Sequence, residues 1–501
     1  MIELKGKYNK DCKILTDDVE LEAYSLIQAI LDQPVSEGIP VRIQCDTHVG
    51  KGIVIGFCMP LNNTMLNPNH IGVDIGCGML SARFSGTYKL DLPTIDRDVK
   101  SAVPMGFNVH TTAQFLTIPF GEVQEVADRF VTAYNKKFGT SYDAPTYNER
   151  WLSNKLKEIK IDEVKFWNAI GTLGGGNHFL EMGVDSKGDY WITIHCGSRN
   201  FGLKVADYWN NVARSQMSMA PDSYNKELDN IKQNTFPKSL IPKKIQELRD
   251  KHKMGVNKEY LQGDNMIGYM FDMIFAQKYA EWNRSTILSI IQTVIGIKKF
   301  EEIISTVHNY IDPKDMIIRK GAISSYIGQK MIIPFNQKDG ILLCEGKSNP
   351  DFLFSGPHGA GRKFSRSKAK EMVTVAQVEE SMKGIYTTSV CKETLDESVF
   401  AYKKSSEIER LIEPTATIID RIIPIWNVKD TGKQVSWKEK RIQEKADKLV
   451  NVKAYRTDKE KDIRKNKKEM RKVRGKESGF ELGVDEIYDF DDDGNPIGVI
   501  K

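Results

Sequence analysis

The chain has 501 residues, too many for one ordinary core, so one large elaborated domain or two or three smaller ones are expected. It is 40% hydrophobic and 28% charged, with no apolar run long enough to span a bilayer, which is the balance of a soluble globular protein and not of a membrane-spanning one. A net charge of +5 is too small for a bulk electrostatic argument for nucleic acid.

The first residues, "MIELKGKYNK", lack the apolar core of a signal peptide. Residues 17–32, "DDVELEAYSLIQAILD", predict an amphipathic helix with Asp17 and Glu20 at capping-box spacing and Leu26, Ile27, Ile30 and Leu31 on its apolar face. "VRIQC" (41–45) and "IVIGFCM" (53–59) read as strands, as does "YWITIH" (190–195), which alternates and ends on a histidine. Residues 204–300 are long, polar and mostly helical, with "NMIGYMFDMIFAQKYAEW" as the clearest apolar helix. Strand-like segments follow at "MIIRKG", "KMIIPF", "GILLCEG" and finally "TATIIDRIIPIWNVK" (415–429). This order predicts an α+β fold, one large domain of mixed β-sheets over 1–429 with a helical insertion at about 204–300. Residues 430–501 form a charged extension. Its stretch 437–476 carries 17 basic against 7 acidic side chains, and 477–497 turn acidic. That extension reads as a solvated, partly helical tail, or else as a basic arm that grips a phosphate backbone. The seven cysteines are odd in number and scattered, with no C-x-x-C pair, which predicts reduced thiols in a cytoplasmic setting.

Chemistry-bearing residues collect beside glycines. "GVDIGCGM" (72–79) holds Asp74 and Cys77; "GTLGGGNHFLE" holds Asn177, His178 and Glu181; "HCGSRNFG" holds His195 and Arg199. "VHNY" holds His308, and "SGPHGAGR" holds His358 and Arg362. Singly, each histidine suits a satisfied structural role or a turn. Together they predict loops converging on one polar site. Imidazole, carboxylate and thiolate form the borderline ligand set for divalent first-row metals, and a thiolate can bridge two ions. Glycine-rich loops present backbone N–H groups to phosphate, and arginine adds a forked donor. Metal, phosphate cradle and a histidine among glycines together suggest phosphoryl or nucleotidyl transfer, with histidine as a possible nucleophile.

In this order and at these spacings, the five motifs resemble the RtcB-type RNA-splicing ligases. "CDTHVGKG" (45–52) is similar to that family's early P-D-x-H-x-G-K-G segment, with Cys45 in the proline position. The resemblance runs from about residue 30 to Lys429. It implies a GTP- and manganese-dependent ligase that joins an RNA 3′-phosphate or 2′,3′-cyclic phosphate end to a 5′-hydroxyl end, in tRNA splicing or RNA repair. On this resemblance Cys77 bridges two Mn²⁺, Asp74 and His178 complete one site, and His195 and His308 complete the other. His358 is the nucleophile that takes GMP. Asn177, Glu181, Asn336, Gly359, Gly361, Arg362, Tyr402 and Lys429 are placed against the nucleotide, and Arg199 against RNA or phosphate. The partners implied are GTP and RNA, with no membrane, for a monomer.

The chain also departs from the family. "IPFNQKDG" (333–340) stands where the family has a small-residue segment, so that Phe335, Asn336, Lys338 and Asp339 replace pocket residues and bring charge. A rival reading is a nucleotidyltransferase that caps 3′-phosphate ends of RNA or DNA without sealing them. A dimetal phosphoesterase would need the ligands but not His358. A non-catalytic RNA-binding protein would have no use for a thiolate-bridged metal pair.

Overall fold

Two large sheets carry the architecture. In the computed structural model, which describes residues 1–217, 221–256, 259–432, 487–490 and 496–500, the strands in chain order are β1 (Ile2–Leu4), β2 (Cys12–Ile14), β3 (Val41–His48), β4 (Ile55–Pro60), β5 (Gly78–Phe84), β6 (Phe179–Val184), β7 (Tyr190–Cys196), β8 (Glu302–Val307), β9 (Asn309–Ile311), β10 (Ile317–Lys320), β11 (Ala322–Ser324), β12 (Lys330–Asn336), β13 (Gly340–Gly346), β14 (Ser355–Pro357) and β15 (Ala416–Val428). A six-stranded sheet runs β1-β2-β3-β4-β10-β9, a seven-stranded sheet runs β12-β13-β15-β6-β7-β5-β8, and β11 pairs with β14. Helices and several sheets in one large domain give the mixed α+β class that the sequence predicts.

Burial explains the strand sequences. β3 and β7 alternate in sequence yet are buried at nearly every position, so both of their faces are covered and their polar side chains are interior. β15 is long because it serves two neighbours. Its first half pairs with β13 and its second half with β6, and register shifts at Leu343/Cys344 and Pro424/Trp426 bend it between them. A core of Leu80, Phe84, Leu180, Ile192, Ile194 and Trp426 lies between this sheet and the helix Gly263–Ile295. That helix has 33 residues, 19 of them buried, and its apolar side chains surround the axis as an interior helix requires.

The first predicted helix is shorter than expected. It spans Leu21–Leu31, Glu20 occupies the N-cap without a side-chain cap bond, and Asp17 lies outside it. The reason is local: Thr16 Oγ1 accepts from the Asp18 N–H at 3.1 Å, turning the chain before the helix begins. Ile27, Ile30 and Leu31 are buried as the periodicity predicts. Helices Arg199–Met217, Pro221–Asn234 and Ile241–Val256 precede the long one. By contact the chain divides into Met1–Phe115 with Pro119–Val450, and Leu116–Ile118 with Asn451–Lys501. In the second unit, Ile487–Phe490 and Pro496–Ile500 pair as an antiparallel hairpin. The basic run 437–476 lies outside the described residues. Among those described, no helix is long and apolar enough to cross a membrane.

Candidate active site

The loop between β4 and β5 delivers Asp74 and Cys77, and two glycines let it fit. Gly76 has φ +73°, and a Cβ there would sit 2.9 Å from Gln277 Cα on the long helix. Gly197, just past β7, leaves room for the Asp74 carboxylate, which a Cβ would meet at 2.1 Å. Asp74 Oδ1 accepts from the Ser198 N–H at 3.2 Å. Arg284 on the long helix donates from Nη1 to both Gly76 O and Cys196 O, each at 2.8 Å. One guanidinium therefore ties the Asp74–Cys77 loop to the end of β7.

His178, just before β6, His195 in β7 and His308, between β8 and β9, converge on Cys77. Cys77 Sγ is 3.4 Å from His178 Nε2 and 3.4 Å from His195 Nε2. His178 Nε2 is 3.0 Å from Asp74 Oδ2, and His195 Nε2 is 3.3 Å from His308 Nε2. The Cys77, His178 and His195 donor atoms all fall within 4.8 Å of one another. Tetrahedral metal bonds of about 2.1–2.3 Å place neighbouring donors about 3.4–3.8 Å apart, and both Cys77–histidine distances have that spacing. Burial pushes the Cys77 thiol up to about 12, with Asp74 adding to the shift. Burial also holds His195 and His308 well below the usual histidine range, keeping them neutral as ligands require. A bound cation would deprotonate the thiol outright.

His358 lies beside this group, its ring centroid 4.8 Å from that of His308. Its Nδ1 is 2.6 Å from Asp46 Oδ2, and the same oxygen accepts from the backbone N–H groups of His358 and Gly359, both at 3.1 Å. Asp46 is completely buried in β3. A carboxylate facing Nδ1 accepts its N–H, which leaves Nε2 as the ring nitrogen not engaged by Asp46. His48, two residues on, has its Nδ1 2.9 Å from Asp46 O and is pushed down to about 4, mainly by burial.

From His358 and the metal-type ligands a cleft extends to Lys429. Asn177, Glu181, Asn336, Gly359, Gly361, Arg362, Tyr402 and Lys429 line it, together with His195, His308 and His358. Its far end is organised by Glu397. This buried carboxylate accepts from Tyr402 Oη at 2.6 Å and pairs with Arg362 at 3.2 Å, Arg366 at 2.5 Å and Lys429 at 3.5 Å. Burial works to raise Glu397, but Lys429, Arg366 and Arg362 outweigh it and hold the carboxyl below its ordinary value. Lys429 Nζ also donates to His178 O at 3.1 Å, linking the two ends. Glu181 Oε1 and Asn427 Oδ1 are buried without a protein partner, and both residues line the cleft. Such orphaned acceptors are what a ligand donor satisfies.

The structure brings the expected residues together, and Arg199 stands beside His178: a Cβ on Gly174 would meet His178 Nδ1 at 2.2 Å and Arg199 Nη1 at 2.5 Å. Arg199 also donates from Nε to Thr172 Oγ1 at 3.0 Å and from Nη2 to Gly106 O at 2.6 Å. The expected charge at 338–339 does not enter the cleft. Lys338 is exposed, and Asn336 Oδ1 accepts from the backbone N–H groups of Lys338 and Asp339, both at 2.9 Å, folding them into a turn. Phe335, Asn336 and Gln337 line the cleft instead. Cys45, in the family's proline position, is packed in a core with Ile323, Met331 and Phe352. Sequence reasoning missed Asp46 and Glu397; the one available signal for Asp46 was an acid inside an otherwise buried strand.

The tRNA-splicing ligase RtcB family model matches residues 38–430. RNA-splicing ligase RtcB of Escherichia coli strain K12 is 25% identical over 448 residues, covering 85% of this chain and 98% of that protein. The tRNA-splicing ligases RtcB of Nanoarchaeum equitans (26% over 495 residues, 85% and 97% covered) and Pyrobaculum aerophilum (26% over 429 residues, 74% and 82% covered) are similar. The family match begins before Asp46 and ends beyond Lys429, a span that includes every residue lining the cleft, and the chain belongs to the tRNA-splicing ligase RtcB family.

Proposed function

We propose that this chain is an RNA-splicing ligase that joins RNA 3′-phosphate or 2′,3′-cyclic phosphate ends to 5′-hydroxyl ends, using GTP and manganese through a guanylylated His358. The observation that carries this reading is the His358–Asp46 pair beside the Cys77 cluster. It holds the imidazole by Nδ1 on a buried carboxylate, next to a metal-type ligand set.

Nε2 of His358 attacks the α-phosphorus of GTP, a P–N bond forms and pyrophosphate leaves. The ring gains positive charge, which the Asp46 carboxylate stabilises through Nδ1–H. GMP then passes to the RNA 3′-phosphate, freeing His358, and the 5′-hydroxyl attacks the activated end and expels GMP. A cyclic phosphate is opened by water before activation. Two manganese ions held by Asp74, Cys77, His178, His195 and His308 would supply charge neutralisation at the transferring phosphoryl group. Asn177, Glu181, Tyr402, Lys429 and the 358–362 loop hold the nucleotide.

Mass spectrometry after incubation with GTP and Mn²⁺ tests the reading. A GMP adduct on His358 supports it, and its absence, with the protein folded and loaded, refutes it. Because Phe335, Asn336 and Gln337 alter the cleft wall, the products deserve separation into sealed and merely capped RNA; capped ends alone would favour the end-capping nucleotidyltransferase.

A further inference from the structure

The turn at residues 104–108 presents an aromatic ring that the reaction above leaves unused. The turn is pinned from several sides. Pro104 O accepts from the Leu173 N–H at 2.8 Å, Met105 O from the N–H and Nδ2 of Asn108 at 3.1 and 3.0 Å, and Gly106 O from Arg199 Nη2 at 2.6 Å. It lies against the glycine-rich segment that leads to His178, since a Cβ on Gly175 would come within 3.8 Å of Gly106 Cα. Phe107 is at its tip, the most exposed large apolar side chain among those described. A fixed backbone thus holds an uncovered ring close to one of the clustered histidines.

The surroundings favour one kind of occupant. A protein partner's anchor pocket needs a contiguous apolar patch around the ring. On these segments the ring's neighbours are the polar Asn108 and Asn177 and the half-buried Met105 and Val109, so no other large apolar side chain stands exposed beside it. A nucleobase needs only a single flat face, and aromatic side chains stack bases without regard to sequence. We propose that Phe107 is the stacking platform for the terminal nucleobase of an RNA strand whose end enters the cleft. The inference rests on the ligase reading and adds to it a residue that positions the RNA.

The test uses the full chain and RNA carrying 2-aminopurine at the terminal position, in one arm at a 3′-phosphate end and in the other at a 5′-hydroxyl end. Stacking quenches the probe on binding in one of the two arms, which identifies the strand held. Phe107→Ala abolishes that quenching and raises KM for the same strand about five- to a hundredfold, while guanylylation by GTP is unchanged. Phe107→Trp restores both readouts and Phe107→Leu restores neither, because bulk without a π-face is not enough. An abasic terminus should bind wild type as poorly as a normal end binds Phe107→Ala. Absence of quenching in both arms, or an unaltered KM in Phe107→Ala, overturns the proposal even where joining proceeds. Quenching in a protein that neither guanylylates nor joins would instead overturn the ligase reading and leave the stacking platform standing.

Discussion

Replacing Asp46 by Asn isolates the contribution of one buried carboxylate to His358, the proposed nucleophile. Oδ2 accepts three hydrogen bonds, from His358 Nδ1 at 2.6 Å and from two backbone N–H groups at 3.1 Å, while Oδ1 is buried without a partner. The asparagine carbonyl can take over the three donors only by placing its NH₂ where Oδ1 stood, where nothing accepts. The substitution therefore leaves a buried donor unsatisfied, at a cost of about 1–3 kcal/mol in stability. The reaction loses more specifically. A hydrogen bond to an ionised group contributes about 1.5–3 kcal/mol, against about 1 kcal/mol for a neutral one, and the difference grows as the imidazole becomes positive during attack. Guanylylation should slow by about one to two orders of magnitude. Single-turnover transfer of label from α-labelled GTP to the protein measures the rate, and thermal unfolding of the same sample separates it from loss of fold. Asp46→Asn protein that is folded and guanylylates within about twofold of wild type would refute the positioning role.

Cys77→Ala should lose both bound manganese ions and guanylylation, and more completely than Asp74→Ala, because a bridging ligand serves two ions; full retention of manganese by Cys77→Ala removes the bridge. His358→Ala should fail with ordinary ends and GTP yet seal RNA whose 3′-phosphate already bears GMP, whereas His195→Ala should fail with both, and a His358→Ala protein that joins ordinary ends ends the covalent mechanism. Burial pushes the His70 imidazole down to about 3, so the unfolded chain binds its proton first as pH falls below about 6.5. Stability from this group is complete above that pH and falls by about 2 kcal/mol by pH 5, and denaturant unfolding of His70→Gln should show a shallower acid limb.

Local pattern made much of the fold and cleft legible. "YWITIH" alternates and is β7, and the glycines around Asp74 and Cys77 mark a loop that packs against helix backbone. Metal-type ligands were visible because their residue types are rare in such company. Asp46 and Glu397 were not, because a buried carboxylate is defined by what it faces. Asp46 meets a histidine 312 positions away, and Glu397 meets Lys429 from a stretch with no periodic signal. Lys338 misled in the opposite direction. Its charge was legible, but the Asn336 turn that sends it to solvent depends on side-chain geometry that composition does not carry.

Arg284 holds the Asp74–Cys77 loop and the end of β7 with one nitrogen, from a helix that also packs under the seven-stranded sheet. The spacing of the chemical groups is thereby referenced to the interior helix and not to the excursion before it. Among the described residues, none of the ligand or cleft side chains comes from Pro221–Asn234 or Ile241–Val256. Those helices are free to lengthen, shorten or change sequence over generations at little cost to catalysis, so divergence between relatives should accumulate there first, while Arg284 and the two carbonyls it grips stay in step.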